Sequence, residues 1–239
     1  MDIGNILISC HEAKEQLVVP QGITHLEDNL KSCSKSLEEV YLPNSLTKIG
    51  KRAFWKCSNL KSIVFPPYLE TIGEEAFCEC DSLESITLSS CITEIKDGAF
   101  KACKNLRSVT IMQDDLPKEP GYVIVMGKEA FANCPKLEQV IIETEVQFWK
   151  EAVFENTGLK EFIFPDGMEK AELSERMFEN CKDLKKVVLP RGVWELPEDF
   201  FKGCTRLQEV IRKDEGWQEL EDDRIQKFFD NDAGNYKSM

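Results

Sequence analysis

The sequence predicts an α/β solenoid: a right-handed array of stacked coils with one parallel β-sheet and short helical or 3-10 turns on its convex side. Two observations carry this prediction. Aliphatic residues recur with the spacing L-x-x-I-x-L, and one phenylalanine marks each copy, at Phe54, Phe77, Phe100, Phe131, Phe154, Phe178 and Phe201. The steps between these phenylalanines are 23, 23, 31, 23, 24 and 23 residues. A fixed period in this range indicates a solenoid built from repeats.

Each repeat divides into three parts. In the copy that follows Phe54, inward aliphatic residues such as Ile63 lie on a strand that Pro66 ends, because proline supplies no N–H to a sheet. Two further aliphatic residues, Leu69 and Ile72, precede the turn that carries the next phenylalanine. We expect nine short strands, near Leu17, Val40, Ile63, Ile86, Val109, Val140, Phe162, Val187 and Val210.

The repeat pattern also predicts the domain organisation. Residues 1–16 are interpreted as an N-terminal cap, residues 17–213 as the solenoid, and residues 214–239 as a C-terminal cap helix and tail. The alternative for the tail is an amphipathic segment that docks on a partner. Residues 113–122 form a loop insertion within the array, since Pro117, Pro120 and Gly121 preclude a regular helix there.

Composition narrows the possible functions. The formal net charge of −13 and the pI near 4.8 argue against binding nucleic acid through its phosphates. No apolar run is long enough for a membrane span, and the first residues lack the basic start of a secretory signal. The expectation for the chain as given is therefore a cytoplasmic protein, and the alternative is a cell-surface protein with an export signal on a longer native chain.

The cysteines follow the repeat. Seven of the ten cysteines stand at one place in the unit, three residues after the phenylalanine or its equivalent: Cys33, Cys57, Cys80, Cys103, Cys134, Cys181 and Cys204. Thr157 takes that place in one copy, which indicates a small core position rather than a disulfide. We expect buried, reduced thiols, and we expect neither a metal nor a cofactor because the metal-ligand spacing C-x-x-C is absent.

No catalytic motif is present in the sequence. The nucleophile motif G-x-S-x-G and glycine-rich phosphate loops are absent, and neither histidine belongs to a motif with a nucleophile. Paired carboxylates such as Asp114 and Asp115 fall where turns and loops are expected, and solvation explains them. The sequence therefore predicts a protein that is not an enzyme.

One full unit, CSNLKSIVFPPYLETIGEEAF from Cys57 to Phe77, resembles the BspA-like (Treponema pallidum type) leucine-rich repeat. The resemblance covers approximately residues 17–211. Aliphatic residues such as Leu69 stand where ordinary leucine-rich repeats carry asparagine or cysteine, so no asparagine ladder is expected. The resemblance implies a ligand-binding module or surface adhesin, as in host-associated bacteria and some protozoa.

Outward strand positions supply the candidate binding site. Because side chains alternate along a strand, the residue after each inward strand centre points outward. That outward column reads Val18, Tyr41, Val64, Thr87, Thr110, Ile141, Ile163, Val188 and Ile211. Beside it run the small residues Ser62, Ser85 and Ser108. The column either reflects only the strand preference of β-branched residues or forms a partly apolar groove for an extended or helical protein segment.

The predicted function is protein–protein interaction by a monomer, with no nucleic acid and no membrane span. The partner-binding residues are predicted to be Tyr41, Ser62, Val64, Ser85, Thr87, Ser108, Thr110 and Ile141, with the insertion as their rim. The alternative function is a cell-surface adhesin or structural spacer that binds host or matrix proteins.

Overall fold

The computed structural model describes residues 6–9, 15–31, 36–113, 123–166, 168, 172–191, 193, 196–212 and 218–219. These residues form a solenoid of stacked, mostly parallel strands and contain no helix. The strands are β1 (Ile6–Ser9), β2 (Gln16–Val18), β3 (His25–Lys31), β4 (Glu39–Tyr41), β5 (Lys48–Ile49), β6 (Ser62–Val64), β7 (Thr71–Ile72), β8 (Ser85–Leu88), β9 (Glu94–Ile95), β10 (Ser108–Ile111), β11 (Ile124–Met126), β12 (Gln139–Ile142), β13 (Val146–Trp149), β14 (Glu161–Ile163), β15 (Lys186–Leu189), β16 (Glu209–Arg212) and β17 (Gln218–Glu219).

Two sides of the coil carry strands. On one side, a seven-stranded sheet runs in the order β1-β3-β5-β7-β9-β11-β13. On the other side lie strands at all nine predicted positions, but they form three sheets, ordered β2-β4-β6, β12-β10-β8 and β14-β15-β16-β17. The prediction of one nine-stranded sheet is therefore wrong. The aliphatic pair of each repeat, assigned no strand in the prediction, supplies the additional sheet.

The convex turns are not helical, which corrects the prediction of helical or 3-10 turns. Each described turn has two residues with positive φ, four positions apart, such as Glu75 at 52° and Glu79 at 59°. The same pairing recurs at Glu129 and Asn133. A residue in the left-handed region interrupts a right-handed helix, so these positions stop helix propagation twice in each repeat.

Hydrogen bonding explains why the chain accepts these conformations. The backbone N–H groups of Glu75, Phe77 and Glu79 donate to carbonyl groups of the next coil, at 2.9, 2.7 and 2.9 Å. Phe77 N–H bonds the carbonyl of Ala99, one period along the chain. Bonds of this kind recur along the array and satisfy groups that a helix would use internally.

The core is a column of stacked phenylalanine rings. Adjacent ring centroids lie between 5.1 and 5.8 Å apart, and the interplanar angles are 20° or less. The rings are Phe54, Phe77, Phe100, Phe131, Phe154, Phe178 and Phe201. All seven are buried, as expected for a residue that repeats at a fixed period. Each ring is covered only when the neighbouring coils are present.

Glycines on the seven-stranded side allow coils to approach backbone to backbone. A Cβ added to Gly73 would lie 2.5 Å from the carbonyl carbon of Gly50, and one on Gly50 would lie 2.6 Å from the carbonyl oxygen of Leu26. Gly127 packs in the same way on Lys96. The recurring glycine after the aliphatic pair therefore serves close approach, and its φ is not in the left-handed region.

The predicted end segments lie largely outside the described residues. Within the N-terminal cap, β1 pairs with β3 and extends the seven-stranded sheet. Of the insertion, only Gln113 is described, and of the segment 214–239 only β17, which pairs antiparallel with β16. The domain boundaries, the cap helix and the right-handed sense of the coil stay predictions.

Candidate functional site

The outward column carries most of the large apolar side chains that reach solvent. Among the described residues, eight large hydrophobic side chains are exposed, and five of them belong to this column. The most exposed are Val64 at 78% and Val18 at 68%. The other three are Tyr41, Ile141 and Ile163, while Thr87 is exposed and Thr110 half-buried.

The column loses this character at its C-terminal end. Val188, expected to point outward, is 1% exposed, and Ile211 is half-buried. Val188 lies on β15, between β14 and β16 in the one sheet of the described chain that contains an antiparallel pair. The exposed part of the column therefore ends at Ile163.

The strand registers bring the predicted site residues into neighbouring positions. Tyr41 pairs with Val64, Ser85 with Ser108, and Thr110 with both Thr87 and Ile141. The eight predicted site residues divide between two sheets: Tyr41, Ser62 and Val64 lie on the first, and Ser85, Thr87, Ser108, Thr110 and Ile141 lie on the second.

Glu39 fixes the orientation of Tyr41 on this face. The Tyr41 hydroxyl donates a 2.8 Å hydrogen bond to Oε2 of Glu39, and the Gln16 side-chain amide donates to the same oxygen at 2.8 Å. The hydrogen bond and the negative charge of Glu39 both raise the pKa of Tyr41. The Tyr41 hydroxyl is thus directed towards Glu39, while the side chain remains 51% exposed.

The face is interrupted between β6 and β8 and again between β12 and β14. A backbone hydrogen bond normally joins successive coils just before the outward column, as from Lys61 N–H to the Glu38 carbonyl at 2.9 Å and from Arg107 N–H to the Glu84 carbonyl at 2.8 Å. The equivalent bonds from Glu84 to Lys61 and from Lys160 to Glu138 are missing among the described residues. No change in repeat spacing accompanies the first interruption.

A one-residue shortening accompanies the second interruption. The copies with a described register cysteine place two residues between that cysteine and the following leucine, whereas only Gly158 separates Thr157 from Leu159. Gly158 lies directly against the carbonyl oxygen of Pro135 in the preceding coil, so a side chain would not fit there. Leu159 is nevertheless fully buried ahead of β14, as are the equivalent Leu60 and Leu137 in copies without the shortening.

A cleft of about 810 Å³ lies at this second interruption. Its apolar lining comes from Ile124, Val140, Ile141, Ile142, Ile163, Phe164 and Pro165. Val140 is the inward residue of β12 and is half-buried, whereas its counterparts Val109 and Phe162 are fully covered. The interruption therefore gives solvent access to a position that is closed in the neighbouring coils.

Carboxylates line the same cleft. Glu138, Glu143, Glu145, Glu161 and Asp166 belong to its lining, and no lysine, arginine or histidine does. Glu138 is paired with Lys160 at 2.8 Å, and this cation lowers the pKa of Glu138. The cleft was not predicted from the sequence, although the shortened spacing at Gly158 is a visible signal there.

The register thiols are core groups. Each described thiol after the first donates to the backbone carbonyl of the phenylalanine one coil earlier, at 3.0–3.2 Å. The donors are Cys80, Cys103, Cys134, Cys181 and Cys204. Thr157 keeps the pattern in a modified form, since its hydroxyl donates to Phe154 of its own coil at 3.0 Å. The predicted burial is confirmed for all six described register cysteines, and Cys33 lies outside the described residues.

Burial also suppresses ionisation of these thiols. It raises the pKa of Cys57 to about 12 and that of Cys181 to about 11. For Cys80 and Cys103 the same loss of solvation raises the pKa well above its ordinary value. A thiol kept neutral and buried is a poor nucleophile and a poor metal ligand. These cysteines therefore contribute packing rather than chemistry.

Neither a metal site nor a membrane helix is found in the described part of the chain. No group of three potential ligands among histidine, cysteine, aspartate and glutamate is placed to hold a metal there. The same residues contain no helix with the length and apolarity of a membrane span. The outward column and the cleft remain as candidate sites in the described residues.

Solved structures of leucine-rich repeat proteins resemble this fold. A leucine-rich repeat protein from Bacteroides ovatus ATCC 8483 matches with 24% identity and a TM-score of 0.52, over 83% of this chain and 60% of its own. A leucine rich cell surface protein from Faecalibacterium prausnitzii A2-165 matches with 24% identity and a TM-score of 0.49, over 86% of this chain and 62% of its own. A Treponema pallidum leucine-rich repeat protein has 22% identity and a TM-score of 0.46, over 74% of this chain and 81% of its own.

The chain thus spans 60% of the Bacteroides ovatus protein and 62% of the Faecalibacterium prausnitzii protein, and no curated protein matches it. The family model described as the BspA type leucine rich repeat region matches six copies, over residues 24–117 and 117–222. This match covers most of the array and agrees with the resemblance in the unit from Cys57 to Phe77. The chain belongs to the BspA-type leucine-rich repeat family.

Proposed function

We propose that this protein is a non-catalytic interaction module that binds a protein partner through the outward face of its strands. The contact residues are Tyr41, Ser62, Val64, Ser85, Thr87, Ser108, Thr110 and Ile141. The single observation that carries the proposal is the concentration of exposed apolar side chains in one column, five of eight among the described residues. Such patches on soluble proteins often mark interaction sites.

The chemistry of the face indicates the kind of partner it suits. Val64 and Tyr41 offer apolar contact, while the adjacent Ser62, Ser85 and Ser108 are small and uncharged. The short serine side chains beside the larger apolar side chains leave room for the backbone of an extended segment or for one side of a helix. The partner therefore presents a row of apolar side chains, and its own backbone lies over the serines.

Site-specific photo-crosslinking tests this proposal. We would replace Val64 with p-benzoylphenylalanine and irradiate the full chain in a lysate of its source cell. The expected result is a discrete crosslinked product that disappears when Thr87→Glu is added, because the charge disrupts apolar contact on the neighbouring strand. Crosslinking that is unaffected by Thr87→Glu would contradict the proposal.

The matched control belongs on a convex turn. Lys56 and Lys101 suggest themselves from the sequence, but they pair with Glu79 and Glu129 of the following coil. Lys182 is exposed in a turn and is in no ion pair among the described residues, so it is the better position. A crosslinker at Lys182 should give no product. A product from Lys182 but none from Val64 would mean that the partner contacts the convex turns and not the outward face.

The cellular location stays a prediction, both for the cytoplasmic expectation and for the cell-surface adhesin alternative. Adhesion would use the same face toward a host or matrix protein. Labelling of intact source cells with a membrane-impermeant reagent separates the two, because only an exported chain is labelled. The monomeric state and the lack of nucleic-acid binding likewise stay predictions.

A further inference from the structure

We propose that the cleft between β12 and β14 binds an extended, lysine- or arginine-bearing segment of the partner protein. This inference rests on the proposed function, because the cleft lies on the same face and includes Ile141 of the outward column. It goes further by naming the charge of the partner and the place where specificity is determined.

The first argument is the shape of the cleft. Its volume of about 810 Å³ falls in the range of well-formed ligand sites in proteins, which is roughly 300–1,000 Å³. Ile141 on β12 and Ile163 on β14 lie on either side of the interruption. Their side chains are 39% and 50% exposed, respectively. The aliphatic stem of a lysine or arginine packs well on surfaces of this kind.

The cleft also carries carboxylates that form no ion pair with the described residues. Of the five lining carboxylates, Glu143, Glu145 and Glu161 take part in no ion pair with the described residues. Elsewhere the described acidic residues are often neutralised by a neighbouring coil, as Glu74 is by Lys51 of the preceding coil at 2.8 Å and Asp183 by Arg206 of the following coil at 2.6 Å. The cleft therefore retains negative charge, and a cation from a partner complements it.

The third argument is the interrupted ladder. β12 and β14 do not pair with each other, so strand edges that are joined elsewhere in the array meet at the cleft. Cα atoms of the two strands still come within 8 Å of each other, which leaves no room for a third strand between them, so an extended segment would lie over the cleft with its side chains directed into it. Alternate residues of such a segment point the same way, which would carry basic side chains into the cleft and their neighbours outward.

Fluorescence anisotropy with a defined probe tests the inference on the full chain. The probe is a fluorescein-labelled, acetylated (Lys-Val)3 amide, and (Glu-Val)3 serves as its opposite-charge counterpart. We expect saturable binding of the lysine peptide only, weakened at higher salt because its charges are partly exposed. The triple variant Glu143→Gln, Glu145→Gln, Glu161→Gln should lose at least about tenfold in affinity, equivalent to about 1.4 kcal/mol.

A matched triple variant separates the cleft from the overall charge. Glu27→Gln, Glu70→Gln and Glu175→Gln remove three exposed carboxylates outside the cleft. Both triples change the formal net charge from −13 to −10, that is, by three carboxylates. The control triple should bind within about twofold of wild type. Equal losses in both triples, or no binding to wild type, would overturn the inference.

Two further readouts complete the design. Calcium chloride alone should give no saturable binding. If the wild type binds calcium, and the cleft triple variant loses calcium binding but still binds the peptide, the cleft is a cation site and the inference is overturned. Lys182→Ala should leave peptide affinity unchanged, because Lys182 lies on a convex turn outside both the cleft lining and the proposed contact residues. A crosslink at Val64 with no peptide binding refutes only this inference, whereas peptide binding without any crosslink at Val64 refutes the proposed face.

Discussion

The two strand-bearing sides of the solenoid differ at the same coils. Between the coil that carries β6 and β7 and the coil that carries β8 and β9, β7 pairs with β9 while β6 and β8 do not pair. Near the second interruption, a parallel bridge between Phe148 and Glu172 continues beyond β13, while β12 and β14 are separate. The interruptions are therefore local to one side and are not displacements of whole coils.

This difference shows which constraints hold the array together. On the continuous side, Gly50 and Gly73 set contact between backbones, and such contact allows little variation. On the interrupted side, the outward side chains meet solvent, so a coil can shift there and leave an inward residue such as Val140 partly exposed. The side with the weaker constraint is the one that carries both the apolar column and the cleft.

The largest expected effect is on the shared phenylalanine column. Phe77 stacks on Phe54 and Phe100 with centroids 5.1 Å away in both directions, and Phe65 meets its edge at 5.5 Å. Phe77→Ala should lower the free energy of unfolding by about 3–5 kcal/mol, since it removes a fully buried ring from both neighbouring coils. Urea denaturation measures this change, and a midpoint equal to wild type would show that the column is not the core.

Backbone contact on the continuous side should come next. Gly73→Ala brings a Cβ within 2.5 Å of the Gly50 backbone and should cost about 1–3 kcal/mol by overpacking. The control is Lys96→Ala, at the equivalent place one coil later, where a side chain is already present. Equal stability of Gly73→Ala and Lys96→Ala in thermal melts would remove the argument for close approach.

The thiol column should make stability depend on alkaline pH. The pKa of Cys57 is raised from 9.0 to about 12, so the folded state retains a proton that the unfolded state loses above pH 9.0. The contribution of Cys57 to the free energy of unfolding is fully present below pH 9.0. It decreases between pH 9.0 and pH 12, by up to about 1.4 kcal/mol per pH unit. Urea titrations at several pH values, compared with Cys57→Ala, isolate the contribution. Equal slopes for the two proteins would contradict it.

Periodic features of the fold were predictable from the sequence. The positions of the nine strands follow from the aliphatic spacing, and burial of the phenylalanine and cysteine columns follows from their fixed period. The helical turns were wrongly predicted because residues such as Glu75 and Glu79 do not reveal positive φ in their chemistry. Hydrogen bonds between coils, which a single repeat does not contain, determine that conformation.

The candidate site was predictable only in part. The exposure of Val64 and Tyr41 follows from strand alternation, because that rule depends on local geometry. The burial of Val188 depends on packing at the end of the array, and the cleft depends on how the shortened segment at Gly158 sits on the preceding coil. Both are interactions between coils, so the pattern within one repeat does not contain them.

The smallest expected effect on stability is at the centre of the outward face. Val64 is 78% exposed and its neighbour Ile63 is 9% exposed on the same strand, so the two form a matched pair for one substitution. Val64→Asp should leave the thermal midpoint nearly unchanged, because little apolar surface is removed from water there. Ile63→Asp should lower the midpoint strongly, because a carboxylate would enter the core.

The decisive experiment combines thermal melts with photo-crosslinking of the Val64→Asp variant, with p-benzoylphenylalanine placed at Thr87 as the crosslinker. A folded Val64→Asp protein that has lost its crosslinked partner supports the outward face as a binding surface. A folded variant that crosslinks as well as wild type would show that the exposed column reflects strand preference alone.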